Sequence, residues 1–431
     1  MKQIQPEKLF VASCLALLVT SLSFGIRAGI LGQLGVQFHL SGQELAIITG
    51  TAFWGFPLAV VIGGFIVDAI GMKRLLVAAF VLHLLGILLT ICTPWFSSGF
   101  WPLFISTLFI GMANGTVEAA CNPLVATIYQ DNKTTKLNHF HLWFPGGIVI
   151  GSLIVFFLNM VNIGWQIQVA TMLVPTLIYG FLFLKLDFPV TERVAAGVSN
   201  KQMYRSIASP LFIFMFICMF GTAITELFTN QWIEILLKNV TAYGLLVLAL
   251  TAGVQVLGRA VAGPVVHKMS PTGVLLASAV FSAFGLYLMG SVSGNMLFVA
   301  AVIFGIGITY FWPTMLGFVS ENIPESGALG MNLIGGAGMF AVSVYTFFMG
   351  GFYDSIIAKN LPASASLDVY RSAAPGTPEA TTFQQAQAVA GPEIINVTLI
   401  IPVILIVAFA GLFFYMKGKK KQTLHSTLQT A

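Results

Sequence analysis

Long apolar runs separated by short polar stretches cover nearly the whole 431-residue chain. A helix needs about 20 such residues to cross the hydrocarbon core of a bilayer. The pattern predicts twelve helices, near 9–34, 44–69, 74–94, 100–129, 139–163, 165–186, 207–237, 243–267, 273–293, 296–319, 327–352 and 393–416. The polar stretch 187–206, with Asp187, Pro189, Glu192, Arg193, Lys201 and Arg205, reads as a linker. The expected architecture is an all-α membrane protein of twelve transmembrane helices in two pseudo-symmetric six-helix bundles, 1–186 and 207–417, followed by a basic tail, 418–431. Residues 354–392, rich in Ala, Ser, Pro and Gln, read as an outside loop.

Composition agrees: 57% of residues are hydrophobic and 8% charged, against about 25% charged in soluble domains. An even number of spans puts both termini on one side. All but five of the 20 Lys and Arg then fall on that side: Lys238, Lys359 and Arg371 lie opposite, and Arg27 and Arg259 lie within spans. The positive-inside rule makes that side the cytoplasm, as in the plasma (bacterial inner) membrane. The first apolar run outlasts a signal peptide and more runs follow, so it reads as a retained helix. Basic residues at membrane edges set topology and leave no nucleic-acid reading. The four Cys, at 14, 92, 121 and 218, lie in apolar runs without metal-ligand spacing, so neither metal nor cofactor is expected. No nucleophile elbow or nucleotide loop appears, which argues against an enzyme. Asn239 heads an outside Asn-Val-Thr sequon beside a span.

Candidate chemistry centres on Gly115–Pro123, in the fourth run. Glu118 sits near mid-span, where a carboxylate costs at least ~2.5 kcal/mol and normally faces a protein interior or a wet cavity. Asn122 is one turn further on, and Pro123 invites a kink. The next run brings His139, His141 and Trp143 close in sequence, and a histidine near a buried acid can relay protons. In the seventh run Thr222, Glu226 and Asn230 are spaced as a polar stripe facing a cavity. Trp143 or Trp232 offers a face for a sugar, and Gln255 and Asn332 offer further hydrogen bonds. Arg27 reads either as snorkelling to headgroups or as a cavity cation. Arg259 reads as a gate contact.

The second half echoes the first. Gly63–Asp68 matches Ala262–His267, Gly115 and Pro123 match Gly305 and Pro313, and Gly146-Gly147 matches Gly335-Gly336, all at similar offsets. Such correspondences in order indicate an internal repeat. Glu118 and Asn122 fall opposite Ile308 and Trp312, so the polar cluster belongs to the first half.

Between the second and third runs, Gly64, Asp68, Gly71, Lys73 and Arg74 spell Gly-x-x-x-Asp-x-x-Gly-x-Lys-Arg. This resembles the signature loop of the major facilitator superfamily, which implies a transporter fold and a structural gating role for these residues. Glu118-Ala-Ala-Cys-Asn-Pro, with Leu137-Asn138 and Gly146-Gly147 after it, is similar to the fucose–galactose–glucose proton symporter family. Gly221, Glu226 and Trp232 resemble the sodium-dependent glucose transporter-like proteins. The resemblance implies a monosaccharide or sugar-derivative symporter, working as a monomer by alternating access. Glu118, and by position Glu226, would couple a proton or sodium. Two departures stand out: Arg27 lies where the family carries a second acid, and His141 and Phe144 replace its glutamine and asparagine. An organic-anion or sugar-acid transporter using Arg27, and a non-transporting sugar receptor, are the alternatives.

Overall fold

The structure is a computed structural model that describes residues 4–237, 244–362, 366–374 and 376–430. Lys2, Lys238 and Asn239 lie outside these residues. Among the described residues, eleven helices are long and apolar enough to cross a membrane, and a further apolar helix is shorter. In chain order they are α1 Pro6–Gln37, α2 Gln43–Ile70, α3 Met72–Ile91, α4 Phe100–Ile128, α5 Gln130–Met160, α6 Trp165–Lys185, α7 Pro210–Trp232, α8 Val247–Ala260, α9 Ala262–Ser291, α10 Met296–Asn322, α11 Pro324–Lys359 and α12 Pro378–Lys419. Helices suit such a chain because a backbone in lipid must satisfy its own hydrogen bonds.

Local sequence sets the breaks. Ser41 and Glu44 close a reciprocal capping box at the start of α2. Gly71 makes the tight α2–α3 turn at φ 87°, where a side chain would be strained. Ser270, at φ 64° just before Pro271, breaks α9 into two pieces, within the turn expected between spans eight and nine. The segment read as an outside loop is largely helical instead. α11 continues to Lys359, a short helix covers Leu367–Arg371, and α12 starts at Pro378. Thr377 Oγ1 accepts the Ala380 N–H at 3.2 Å, and the Ala and Gln that follow are good helix formers.

The chain forms two compact units. The first comprises 1–216 together with 313–339; the second comprises 217–312 and 340–431. This division differs from one at the 187–206 linker, because the end of α10 and the start of α11 pack with the first unit. Within that unit a Cβ on Gly115 of α4 would overlap the Phe56 carbonyl oxygen of α2, so only glycine permits this approach. Within the second unit Gly305 of α10 lies against α8, its Cβ position 3.3 Å from the Thr251 carbonyl oxygen. The two glycines that correspond in the expected repeat both lie at helix contacts, the first much the tighter.

Candidate functional site

In the first unit, Glu118 and Asn122 of α4 and His141 of α5 are all buried. Asn122 Nδ2 donates to Glu118 Oε2 at 2.6 Å. Its Oδ1 therefore faces His141, whose Nε2 lies 2.9 Å away and carries the hydrogen. His141 Nε2 is also 3.9 Å from Glu118 Oε2. The amide thus bridges an acid and a base that can both exchange protons, in a setting without bulk water. Trp143 is half-buried just after a break at Leu142, and its carbonyl accepts from Ser21 Oγ at 2.9 Å.

Above this cluster lies a network that the sequence reading missed. His83 of α3 is fully buried, with Nδ1 2.7 Å from the Tyr179 hydroxyl and Nε2 2.8 Å from Asn114 Oδ1. Asn114 Nδ2 donates to Ser23 Oγ at 3.2 Å. The chain of bonds ties α1, α3, α4 and α6 together. Asn114, Glu118 and Asn122 are spaced by four, and that spacing was the available signal.

Arg27 does not join Glu118. Its guanidinium carbon lies 5.2 Å from the centroid of the Phe24 ring, in a cavity lined by residues of α1–α4 and α6 that include neither Glu118 nor His141.

In the second unit, α7 contains a π-helical turn, Ile224–Phe228, that carries Glu226. Such turns occur often at functional sites. Glu226 Oε1 accepts from Arg259 Nη2 at 2.6 Å, and Arg259 Nε donates to the Thr309 carbonyl at 2.7 Å. Arg259 is therefore the partner of Glu226, and Asp68 has another. The π turn falls within the four-residue stripe, and Thr222 donates to the Met219 carbonyl at 3.2 Å. Glu226 Oε2, Thr229 Oγ1 and Asn230 Oδ1 on α7, and Gln255 Nε2 on α8, are buried without hydrogen-bond partners among the described residues. Buried polar atoms normally find partners, and these four lie on the adjoining helices α7 and α8. Trp232 stacks on Phe228 with ring centroids 5.4 Å apart.

The end of the first unit that carries the α2–α3 turn is closed by charge pairs. Asp68 accepts from Thr191 Oγ1 and from Arg193 Nε, the latter at 2.6 Å. Lys133 pairs with Glu192 at 2.7 Å and reaches the Ser320 carbonyl at 3.3 Å. Thr134 donates through its hydroxyl to Glu321 at 2.6 Å. Asn332 of α11 packs its Cβ against Gly64 and donates to the Ala119 carbonyl at 2.9 Å. That places it beside the backbone of α4, at the residue after Glu118. Lys73 donates to the Leu186 carbonyl at 2.8 Å, and Arg74 is exposed.

The chain is 28% identical over 178 residues to a Xenopus laevis facilitated glucose transporter of solute carrier family 2, covering 41% of this chain and 31% of that protein. It is 22% identical over 214 residues to myo-inositol transporter 1 of Candida albicans, covering 47% of this chain and 37% of that protein. The matched stretches thus span about a third of each relative's length. Among solved structures, the fold matches the E. coli fucose:proton symporter with TM-score 0.66 at 15% identity, covering 92% of this chain and 98% of that one. It matches a proton:xylose symporter with TM-score 0.65 at 13% identity, covering 93% and 96%. Residues 13–356 match the Major Facilitator Superfamily, and the chain belongs to that superfamily.

Proposed function

We propose that the protein is a secondary active transporter of a monosaccharide or close derivative, working by alternating access and coupled to protons through Glu118. The observation that carries this reading is the buried Glu118–Asn122–His141 arrangement. A buried acid bridged to a histidine can hold a proton in one state and lose it in another. Asn122 keeps the carboxylate oriented in both. The names of the similar proteins favour a polyol or sugar as the cargo. Asn230, Thr229 and Gln255 offer hydroxyl-matched hydrogen bonds in the second unit, and Trp232 or Trp143 offers an apolar face.

Coupling falls to Glu118 rather than Glu226 on charge grounds. Glu226 is held by a guanidinium at 2.6 Å, and protonating it would remove the carboxylate charge that this buried guanidinium faces. Both termini lie in the cytoplasm by the distribution of Lys and Arg. Proteoliposome assays test the reading. Glu118→Gln should keep counterflow of the sugar and lose uphill, proton-driven uptake. Uphill uptake at the wild-type rate removes Glu118 from coupling. Uptake driven by a sodium gradient and indifferent to pH replaces the proton with sodium.

A further inference from the structure

We propose that Arg27 and Thr107 form a binding site for one small inorganic anion, of halide size, inside the first unit. An arginine within a span normally finds an acid, yet none of the ion pairs among the described residues includes Arg27. The cavity it lines has a volume of about 40 Å³, and its wall holds no carboxylate. Three hydroxyls share that wall: Ser23, Thr90 and Thr107. Ser23 donates to the Thr20 carbonyl at 2.6 Å and Thr90 to the Gly86 carbonyl at 2.9 Å. Thr107 makes no hydrogen bond among the described residues, so its hydroxyl is free to donate to a ligand in this cavity. The rest of the wall is aliphatic, including Ile26, Ile30, Leu34 and Ile110. A wall of that kind keeps the local dielectric low, which strengthens the attraction between a guanidinium and an anion.

Size selects the ligand. At roughly 10–15 Å³ for each water-sized sphere, the cavity takes about three waters, or a halide in their place. Water alone would leave the arginine without a counter-charge, whereas a halide supplies one and accepts from both donors. This inference does not depend on which sugar is carried, nor on Glu118.

The test uses the full chain, purified in detergent, melted in sodium chloride, sodium bromide and sodium gluconate at equal ionic strength and pH. Chloride and bromide should raise the melting temperature over gluconate by on the order of 2–4 °C at saturation. Arg27→Met should abolish the difference. Thr107→Val should melt like the wild type in gluconate and need about five-fold more chloride for half of the shift; this variant carries the test if Arg27→Met does not fold. Bromide-soaked crystals should show anomalous scattering beside Arg27. Equal melting in all three salts, or a halide effect that survives Arg27→Met, overturns the proposal. Stabilisation by gluconate or glucuronate in place of chloride also overturns it, and assigns Arg27 to the carboxylate of an organic substrate.

Discussion

Asn332 donates its side-chain amide to the carbonyl oxygen of Ala119 at 2.9 Å, and the reason lies four residues further along α4. Pro123 has no N–H to give, so Ala119 lacks its helical partner. The same holds in α10, where Pro313 leaves the Thr309 carbonyl free and Arg259 Nε takes it at 2.7 Å. The two prolines correspond in the internal repeat. Each creates a demand for a donor from another helix, met by an amide in one case and a guanidinium in the other.

Asn332→Ala should therefore destabilise the protein by about 1–3 kcal/mol, the cost of stranding a buried polar group. In a Pro123→Ala background the restored N–H serves Ala119, and the same substitution should cost markedly less. A double-mutant cycle on thermal unfolding in detergent measures the difference. Strict additivity would show that the proline and the amide are unrelated.

The Glu226–Arg259 pair makes a contrasting prediction. Both side chains are buried, with 4% and 2% of their surfaces exposed, so removing one partner strands the other. Glu226→Gln should cost about 3–5 kcal/mol. Adding Arg259→Met should return part of that loss, because no charge then remains unpaired. Arg259→Lys should fall between the wild type and Arg259→Met, since an ammonium lacks the fork that serves Thr309 and Glu226 together. Thermal melting and the yield of monodisperse protein report the order, and a double variant worse than either single variant contradicts it.

Much of this was legible in the sequence. Hydropathy located α4 at 100–129, and the structure gives Phe100–Ile128. The four-residue spacing put Glu118 and Asn122 on one face, and the following run supplied His141. What the sequence left open is tertiary. It shows that Pro123 frees a carbonyl but not that Asn332, distant in sequence, will claim it. Four-residue counting assumes an α-helix, so it fails across the π turn at Ile224–Phe228. His83 lies in an ordinary apolar run, and its role depends on Tyr179 and Asn114 from other helices. Arg27 reads in the sequence either as snorkelling to headgroups or as a cavity cation, and the cavity it lines is built by residues from five helices.

The linker strap should control opening at its end of the first unit. Arg193 holds Asp68 and Glu192 holds Lys133, all from a single short turn. Ala126, only 2% exposed, lines a small cavity together with Glu192 and Ser320. A cysteine placed there by Ala126→Cys should react slowly with a polar maleimide. Asp68→Asn or Arg193→Ala should accelerate labelling, about 5–30-fold if the lost contacts are worth 1–2 kcal/mol. Other cysteines would be removed first. Unchanged labelling would mean that the strap does not hold this end closed.

His141 can act by charge or by orienting Asn122, and two substitutions separate these roles. Its Nε2–H fixes the Asn122 amide, which in turn fixes Glu118. Gln in place of His141 can still donate to Asn122 Oδ1, whereas Leu cannot and leaves that oxygen buried and unpaired. If orientation dominates, His141→Gln should retain most sugar counterflow. His141→Leu should lose it by about five- to hundred-fold, matching ~1–3 kcal/mol for a stranded acceptor. If charge dominates, both variants should keep counterflow and lose uphill uptake alike. Counterflow and uphill uptake measured on the same vesicles tell the two apart, because the first needs only the site and the second needs the proton.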